Sequence, residues 1–200
     1  RVVSDNFRSS TVSLVFYQTG FLSYLILPDG YSLGHKLQFS MRPSTHGRAA
    51  FFPGNAVALS EVVEGAVVFN VELWPTKGAQ LCRAAGTYAV LIAKRLGFVT
   101  LKLRSGWKLV LSSHCYATMG VSPNLKHIYN VYRKAGTLRN LGRKPTVRGV
   151  AMNAIDHPHG GGRGKTSGGP RPLTPWGRIT KQQPTVFKKF RTRLSHIRFR

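Results

Sequence analysis

Two histidines beside a run of glycines form the part of this sequence most suited to chemistry. His157 and His159 flank a proline, follow Asp156 and precede three glycines at positions 160–162. Imidazole is a common metal ligand, and an acid beside a His-x-His pair is typical of zinc sites. The same residues also suit a polyanion, because histidine can hydrogen-bond phosphate, ribose or bases. Glycine lets backbone N–H groups approach phosphates closely.

The hypothesis that this segment belongs to a hydrolase has little support from the other residues of the chain. The other five histidines have no ligand spacing, and the whole chain has six carboxylates with which to complete a metal site. The Gly164-Lys165-Thr166 run resembles the end of a Walker A loop, but His159 occupies the position of its first glycine, and Ser-Gly-Gly-Pro follows in place of a helix. Metal-dependent and nucleotide hydrolysis remain alternatives. No cofactor is predicted, apart from Mg²⁺ carried by a bound nucleic acid.

The charge of the chain indicates a polyanionic partner. Thirty Lys and Arg against six Asp and Glu give a net charge of +24 and an isoelectric point near 11.3. Residues 133–200 hold 17 basic residues and one acid, and residues 1–132 hold 13 and five. An anionic membrane is the competing partner, but ten glycines and six prolines between positions 136 and 184 disfavour an amphipathic helix. Nucleic acid is therefore favoured over a membrane.

The basic tail supplies the residue types that bind RNA. Arginine can fork between phosphate oxygens and stack on exposed bases. Trp176 can stack on a base, with a cap over apolar protein surface as its structural alternative. Glycines are expected where the backbone approaches RNA most closely. The predicted contacts are Gly160, Gly161 and Gly162, with the basic residues Arg139, Arg143, Lys144, Arg148, Arg163, Lys165, Arg171, Arg178 and Lys181.

Short alternating segments before this tail predict a mainly β architecture. Residues 1–55 are predicted to form an N-terminal β module that includes the Pro28-Asp29-Gly30 turn. Alternation over 69–73 and 99–103, and the apolar segments 88–93 and 107–111, predict strands of a small barrel over 56–135. Ser105-Gly106 predicts a hairpin turn.

A helix is predicted at the end of this barrel. Ser122 and Pro123 suit a helix N-cap and first turn, Ile128 and Val131 begin a helical spacing, and Gly136 is placed to end it. Residues 136–200 are then predicted to be an irregular extension. Cys82 and Cys115 are isolated, which predicts buried or inert thiols. The apolar run over 14–27 is interrupted and shorter than the roughly 20 residues of a membrane span, so no transmembrane helix is predicted.

Three stretches of the sequence resemble the universal large-subunit ribosomal protein two family. They are Lys144-Pro-Thr-Val-Arg-Gly-Val-Ala-Met-Asn153, Asp156-His-Pro-His-Gly-Gly-Gly162 and Pro172-Leu-Thr-Pro-Trp-Gly177. Upstream, Gly54-Asn55, Lys77-Gly-Ala-Gln-Leu81 and Arg83-Ala-Ala-Gly-Thr-Tyr88 are similar to the same family's central region. The resemblance covers roughly residues 51–182.

The resemblance implies a fold and a function. The expected fold is a partial oligonucleotide-binding-like barrel, then an SH3-like barrel with a short helix, then an extension in large-subunit rRNA. The protein would be a non-enzymatic ribosomal component that contacts neighbouring ribosomal proteins and supports assembly, subunit association and translation. Carried over by position, His157 and His159 would lie near the peptidyl transferase centre, and Lys77, Arg83 and Asn153 would also contact rRNA.

Two departures from the family shape the remaining expectations. Arg163 stands where the family commonly has an acid, so its local contact is expected to differ. The N-terminal region is short and aromatic, which predicts a barrel that is incomplete or completed by a second polypeptide. These aromatic residues and the absence of an initial methionine favour a mitochondrial matrix location over a plastid or bacterial cytoplasm. A free RNA chaperone is the alternative binding function.

Overall fold

The computed structural model describes residues 1–5, 7–39, 52–164, 169 and 171–181. Within these residues the fold is mainly β, as predicted, with one α-helix of six residues and two short 3₁₀ helices. The described residues up to Val131 form one compact unit, and those from Tyr132 onward form a second. None of the described helices has the length and apolar character needed to span a membrane. The strands are β1 (Val2–Val3), β2 (Val12–Phe16), β3 (Leu22–Leu25), β4 (Ala56–Ala58), β5 (Val67–Phe69), β6 (Val71–Glu72), β7 (Ala79–Leu81), β8 (Ala89–Arg95), β9 (Phe98–Leu103), β10 (Lys108–Ser112) and β11 (Tyr116–Met119).

The first three strands form an antiparallel sheet in the order β1-β2-β3. Phe16 pairs with Leu22 across a tight connection in which Gly20 has a φ of 89°, a conformation that glycine adopts without steric cost. Strand β3 precedes the Pro28-Asp29-Gly30 turn of the predicted N-terminal β module. Assignment of this sheet to an oligonucleotide-binding-like barrel, and of the later strands to an SH3-like barrel, stays a prediction.

The loop between β1 and β2 is joined to distant parts of the same unit through Ser9. The Ser9 hydroxyl oxygen accepts the Ala85 backbone N–H at 3.1 Å. The Ser9 carbonyl oxygen accepts a hydrogen bond from the Asn124 side-chain amide at 2.7 Å. These two bonds span 76 and 115 residues of sequence and attach the N-terminal segment to the strand-rich region.

A six-stranded sheet in the order β10-β9-β8-β5-β11-β4 encloses the main apolar core. Leu91 and Leu101 pair directly across β8 and β9, and both are fully buried. Replacing such a leucine with alanine typically costs about 2–5 kcal/mol. The predicted β9–β10 hairpin is confirmed, with Gly106 at a φ of 87° in its turn. The alternation over 99–103 therefore predicted both the strand and its buried face.

The alternating segment over 69–73 is not a single strand. Asn70 has a φ of 52°, which divides the segment into β5 and β6, and β6 leaves the main sheet to pair with β7. An alternating pattern indicates which residues face apolar surroundings. Two short strands on either side of a kink give the same pattern as one continuous strand. The predicted continuous strand is wrong at this residue.

The helix predicted between Ser122 and Gly136 is also wrong. The structure has a 3₁₀ helix over Leu125–Tyr129, preceded by Asn124 at a φ of 65° with no side-chain cap. The α-helix, α1, spans Ala135–Asn140 and contains Gly136, which was expected to end a helix. Ile128 is 66% exposed and Val131 is 77% exposed, so the apolar stripe has no core within the unit to pack against. Short helices depend on such packing for stability.

Candidate functional site

The histidine segment begins with a 3₁₀ helix over Gly149–Ala151 and then folds back on itself. The Asn153 carbonyl oxygen accepts the backbone N–H groups of Asp156 at 3.0 Å and His157 at 3.2 Å. This turn places the His157 ring over Gly149, where a Cβ would lie 2.5–2.6 Å from three ring atoms. His157 is only 8% exposed as a result. Gly149 is therefore needed to accommodate the buried ring, a role that the sequence pattern did not suggest.

Both histidine rings accept hydrogen bonds from the backbone. The His159 N–H donates to Nδ1 of His157 at 3.0 Å, and the Leu173 N–H donates to Nε2 of His159 at 2.8 Å. These two backbone bonds occupy Nδ1 of His157 and Nε2 of His159 as acceptors, which fixes the orientation of both rings. The rings stack with centroids 5.1 Å apart and planes inclined by 27°. The pair thus acts as part of the loop's own scaffold.

The glycines after the histidines close this loop. The Gly160 N–H donates to the His157 carbonyl at 2.8 Å, and the Gly161 N–H donates to the Met152 carbonyl at 3.1 Å. A Cβ at Gly160 would lie 2.2 Å from the Asn153 carbonyl oxygen. Gly160 therefore has a reason within the protein for lacking a side chain, alongside its predicted approach to RNA. Gly161 and Gly162 adopt φ values of 85° and 91°, in the region that favours glycine.

A small hairpin carries the tryptophan of the tail. Leu173 and Ile179 form an antiparallel bridge, and the Thr174 N–H donates to the Arg178 carbonyl at 2.8 Å. The turn between them leaves Trp176 83% exposed. Because the Leu173 N–H also binds the His159 ring, the hairpin and the histidine loop form one connected element.

The predicted basic contacts in the described residues have exposed side chains. Lys165 lies outside the described residues. Asp156 is the one carboxylate described beyond Val131, and it is exposed. No group of three or more potential metal ligands occurs in the described ranges. The exposed predicted residues are Lys77, Arg83, Arg139, Arg143, Lys144, Arg148, Asn153, Arg163, Arg171, Arg178 and Lys181.

Lys77 lies in a β6–β7 turn that is held by a buried carboxylate. Glu72 is 7% exposed, and its two oxygens accept the backbone N–H groups of Gly78 and Tyr116, each at 3.0 Å. Thr76 and Gly78 on either side of Lys77 have positive φ values of 64° and 84°. The alternating pattern suggested that Glu72 faced solvent, so its role in shaping this turn was missed. One indication of this role was present in the sequence, which is that Glu72 is one of six acidic residues in a chain with 30 Lys and Arg.

The two cysteines are not suited to reactive chemistry. Cys115 is fully buried and Cys82 is partly buried. Burial raises the pKa of each thiol from 9.0 to about 11, and the charge of Glu72 adds to the effect at Cys115. Because the thiolate is the reactive form, both groups are inert at neutral pH. This agrees with the prediction of buried or inert thiols.

Comparison with known proteins gives a consistent set of relatives. The family model for Ribosomal Proteins L2, C-terminal domain, matches residues 52–177. The large ribosomal subunit protein uL2 of Orientia tsutsugamushi is 43% identical over 193 residues, covering 96% of this chain and 68% of that protein. The uL2 proteins of Hyphomonas neptunium and Phenylobacterium zucineum are 42% and 41% identical, covering 97% and 99% of this chain. The chain matches 68% and 70% of their respective lengths.

Proposed function

This chain belongs to the ribosomal protein L2 family, and on that premise we propose that it is a non-enzymatic structural component of the large ribosomal subunit that binds large-subunit rRNA. The observation that carries the proposal is the family match over residues 52–177, which includes the histidine loop and Trp176. The protein stabilises folded RNA, and the chemistry of peptide-bond formation belongs to the RNA.

Binding combines electrostatic attraction with a preformed loop. Each Lys or Arg that neutralises a phosphate releases condensed counterion, so affinity falls with salt by roughly 0.7–0.9 logarithmic units per contact and tenfold salt. The closed histidine loop reduces the conformational entropy lost on binding, because its hydrogen bonds are made within the protein. Exposed Trp176 offers a flat face on which a base can stack.

The finer placement of the protein forms part of this proposal. His157 and His159 lie near the peptidyl transferase centre, and the basic side chains bind the surrounding rRNA helices together with their Mg²⁺. Neighbouring ribosomal proteins contact the complex, and a second polypeptide completes the N-terminal sheet. We place the ribosome in the mitochondrial matrix, with plastid and bacterial cytoplasm as the alternatives. These contacts support subunit assembly, subunit association and translation.

Crosslinking in cells tests this function directly. The protein is crosslinked to RNA, the attached RNA is sequenced, and the modified peptides are mapped. Adducts between residues 143 and 181 on large-subunit rRNA near the peptidyl transferase centre are expected. Adducts spread over many unrelated RNAs would instead identify a free RNA chaperone. Sedimentation of the uncrosslinked protein away from large subunits would contradict a ribosomal role.

A further inference from the structure

One face of the N-terminal sheet exposes large apolar side chains. In the register of β2 with β3, Leu14 lies opposite Tyr24 and Phe16 lies opposite Leu22, so these four residues share one face. Phe16 is 70% exposed, Leu22 is 63% exposed and Tyr24 is 61% exposed. Large apolar side chains that adjoin one another on a surface indicate an interaction site, whereas single exposed ones are ordinary. We call Phe16, Leu22 and Tyr24 the apolar patch.

The apolar patch lies in an uncharged stretch of a strongly basic chain. Residues 9–28 contain no Asp, Glu, Lys, Arg or His, although the chain as a whole has a net charge of +24. Affinity for a nucleic-acid backbone comes mainly from Lys and Arg that neutralise phosphates, and this stretch has neither. Aromatic residues are enriched and lysine is depleted at protein interfaces. The composition of the patch therefore favours a protein partner over RNA.

The edge of the same sheet presents main-chain groups to a partner. β3 is an outer strand, and the Tyr17 N–H donates to the Phe21 carbonyl at 2.9 Å. Hydrogen-bonded and non-hydrogen-bonded pairs alternate in an antiparallel ladder, so the N–H and C=O groups of Leu22 and Tyr24 point away from β2. Within the described ranges, no other segment is hydrogen-bonded to these groups. Exposed edges usually carry lysine, proline or a bulge that prevents pairing, and β3 has none of these.

We propose that the β3 edge and the apolar patch together bind an extended, uncharged segment of a neighbouring ribosomal protein, which adds a fourth strand to the sheet. This inference rests on the proposed ribosomal function, in which a second polypeptide completes the N-terminal sheet, and it specifies the surface and the kind of segment. The main chain of the segment pairs with Leu22 and Tyr24, and its alternate side chains extend the apolar patch.

A cavity beside the patch provides a place for one side chain of the added strand. It has a volume of about 560 Å³, and its lining includes Val12 and Tyr24 on the face that carries the patch, together with Phe7 from the loop between β1 and β2. A cavity of this size accommodates a large side chain. In strand addition, main-chain hydrogen bonds supply affinity and such cavities supply specificity.

Photocrosslinking within assembled particles tests the identity of the occupant. Phe16 of the full chain is replaced with benzoylphenylalanine, large subunits that contain this chain are irradiated, and the adducts are identified by mass spectrometry. An adduct to one uncharged segment of a neighbouring ribosomal protein is expected. The same replacement of Phe98, which is 57% exposed on the main sheet, is the matched control and should not give that adduct. Adducts to rRNA or to a second copy of this chain, the same adduct from both positions, or no adduct would overturn the inference.

A Leu22→Arg variant separates protein binding from RNA binding. An added arginine strengthens a contact with phosphate, whereas a charge placed in an apolar interface weakens it. The variant should lower the affinity of large subunits for the crosslinked protein about tenfold, while the chain itself stays in the subunits. Leu96→Arg is the matched control, because Leu96 is fully exposed in the β8–β9 turn. Affinity equal to that of the control would overturn the inference. If the unmodified chain fails to sediment with large subunits, the proposed function itself fails.

Discussion

Replacement of Gly160 with alanine tests whether the histidine loop is a preformed element. A Cβ at this position would lie 2.2 Å from the Asn153 carbonyl oxygen and 2.7 Å from the Met152 carbonyl oxygen. Carbon and oxygen atoms approach to about 3.3 Å at closest in folded proteins, so the backbone must move by about 1 Å. The φ of Gly160 is outside the positive region, and alanine could otherwise be accommodated there. The obstacle is the neighbouring main chain.

The size of the effect follows from the hydrogen bonds that hold the two segments together. A shift of this kind opens the bonds from Gly160 to His157, from His157 to Asn153 and from Gly161 to Met152, which measure 2.8, 3.2 and 3.1 Å. Each contributes about 0.5–1.5 kcal/mol net, so the loop loses about 1.5–4.5 kcal/mol. If rRNA binds the closed loop, a loss near 3 kcal/mol weakens affinity on the order of 100-fold.

The assay is equilibrium binding of the full chain to large-subunit rRNA, with amide hydrogen exchange of the loop measured in parallel. Gly136→Ala is the matched control, since that glycine also lacks a positive φ and has nothing within 4 Å of a Cβ. This control should bind like the unmodified chain, and alanine should slightly favour helix α1. Affinity of Gly160→Ala within about threefold of the control, with loop protection unchanged, would refute the reasoning.

Three further perturbations give measurable outcomes. His159→Ala removes the acceptor for the Leu173 N–H and should weaken rRNA affinity about fivefold, by about 1 kcal/mol, while intact particles still form peptide bonds; complete loss of peptide-bond formation would contradict a scaffold role. Unfolding returns the raised pKa values of Cys82 and Cys115, both about 11, to the ordinary 9.0. As pH rises, the thiols of the unfolded chain lose their protons before those of the folded chain. The free energy of unfolding should therefore be constant below pH 9 and fall as pH rises from 9 to about 11. Replacing both cysteines with alanine should remove this thiol-dependent decline. Glu72→Gln replaces one acceptor oxygen with an amide donor beside a backbone N–H and should lower the free energy of unfolding by about 1–3 kcal/mol. An unchanged midpoint of urea unfolding would show that the hydrogen bonds to the Glu72 carboxylate do not stabilise the fold.

The fold was predictable where local pattern and packing agree. Val99 and Leu101 alternate with polar residues because one face of β9 covers the core, so the sequence pattern identified both strand and face. Ile128 and Val131 carry a helical spacing, yet both are largely exposed and no α-helix forms over them. Spacing reports a possible apolar face, whereas a stable helix also needs a surface to bury that face.

The sequence predicted the RNA-binding character of the histidine loop but not the hydrogen bonds and contacts that hold it closed. Its charge, glycines and family resemblance pointed to RNA. The bonds that close it join His157 and His159 to backbone groups, and any residue supplies a backbone N–H, so no residue type signals them. Gly149 is similar: its need for a missing side chain follows from the position of a ring eight residues later in the chain.

The hydrogen bonds of Ser9 set the order in which the first unit can be completed during synthesis. Asn124 lies 115 residues beyond Ser9, and translation at about 5–20 residues per second separates their synthesis by about 6–23 s. Contacts this distant in sequence form late, because closing the intervening chain is entropically costly. The N-terminal sheet of the growing chain therefore remains for many seconds without its hydrogen bond to Asn124. During that interval the cell must protect the sheet from premature association.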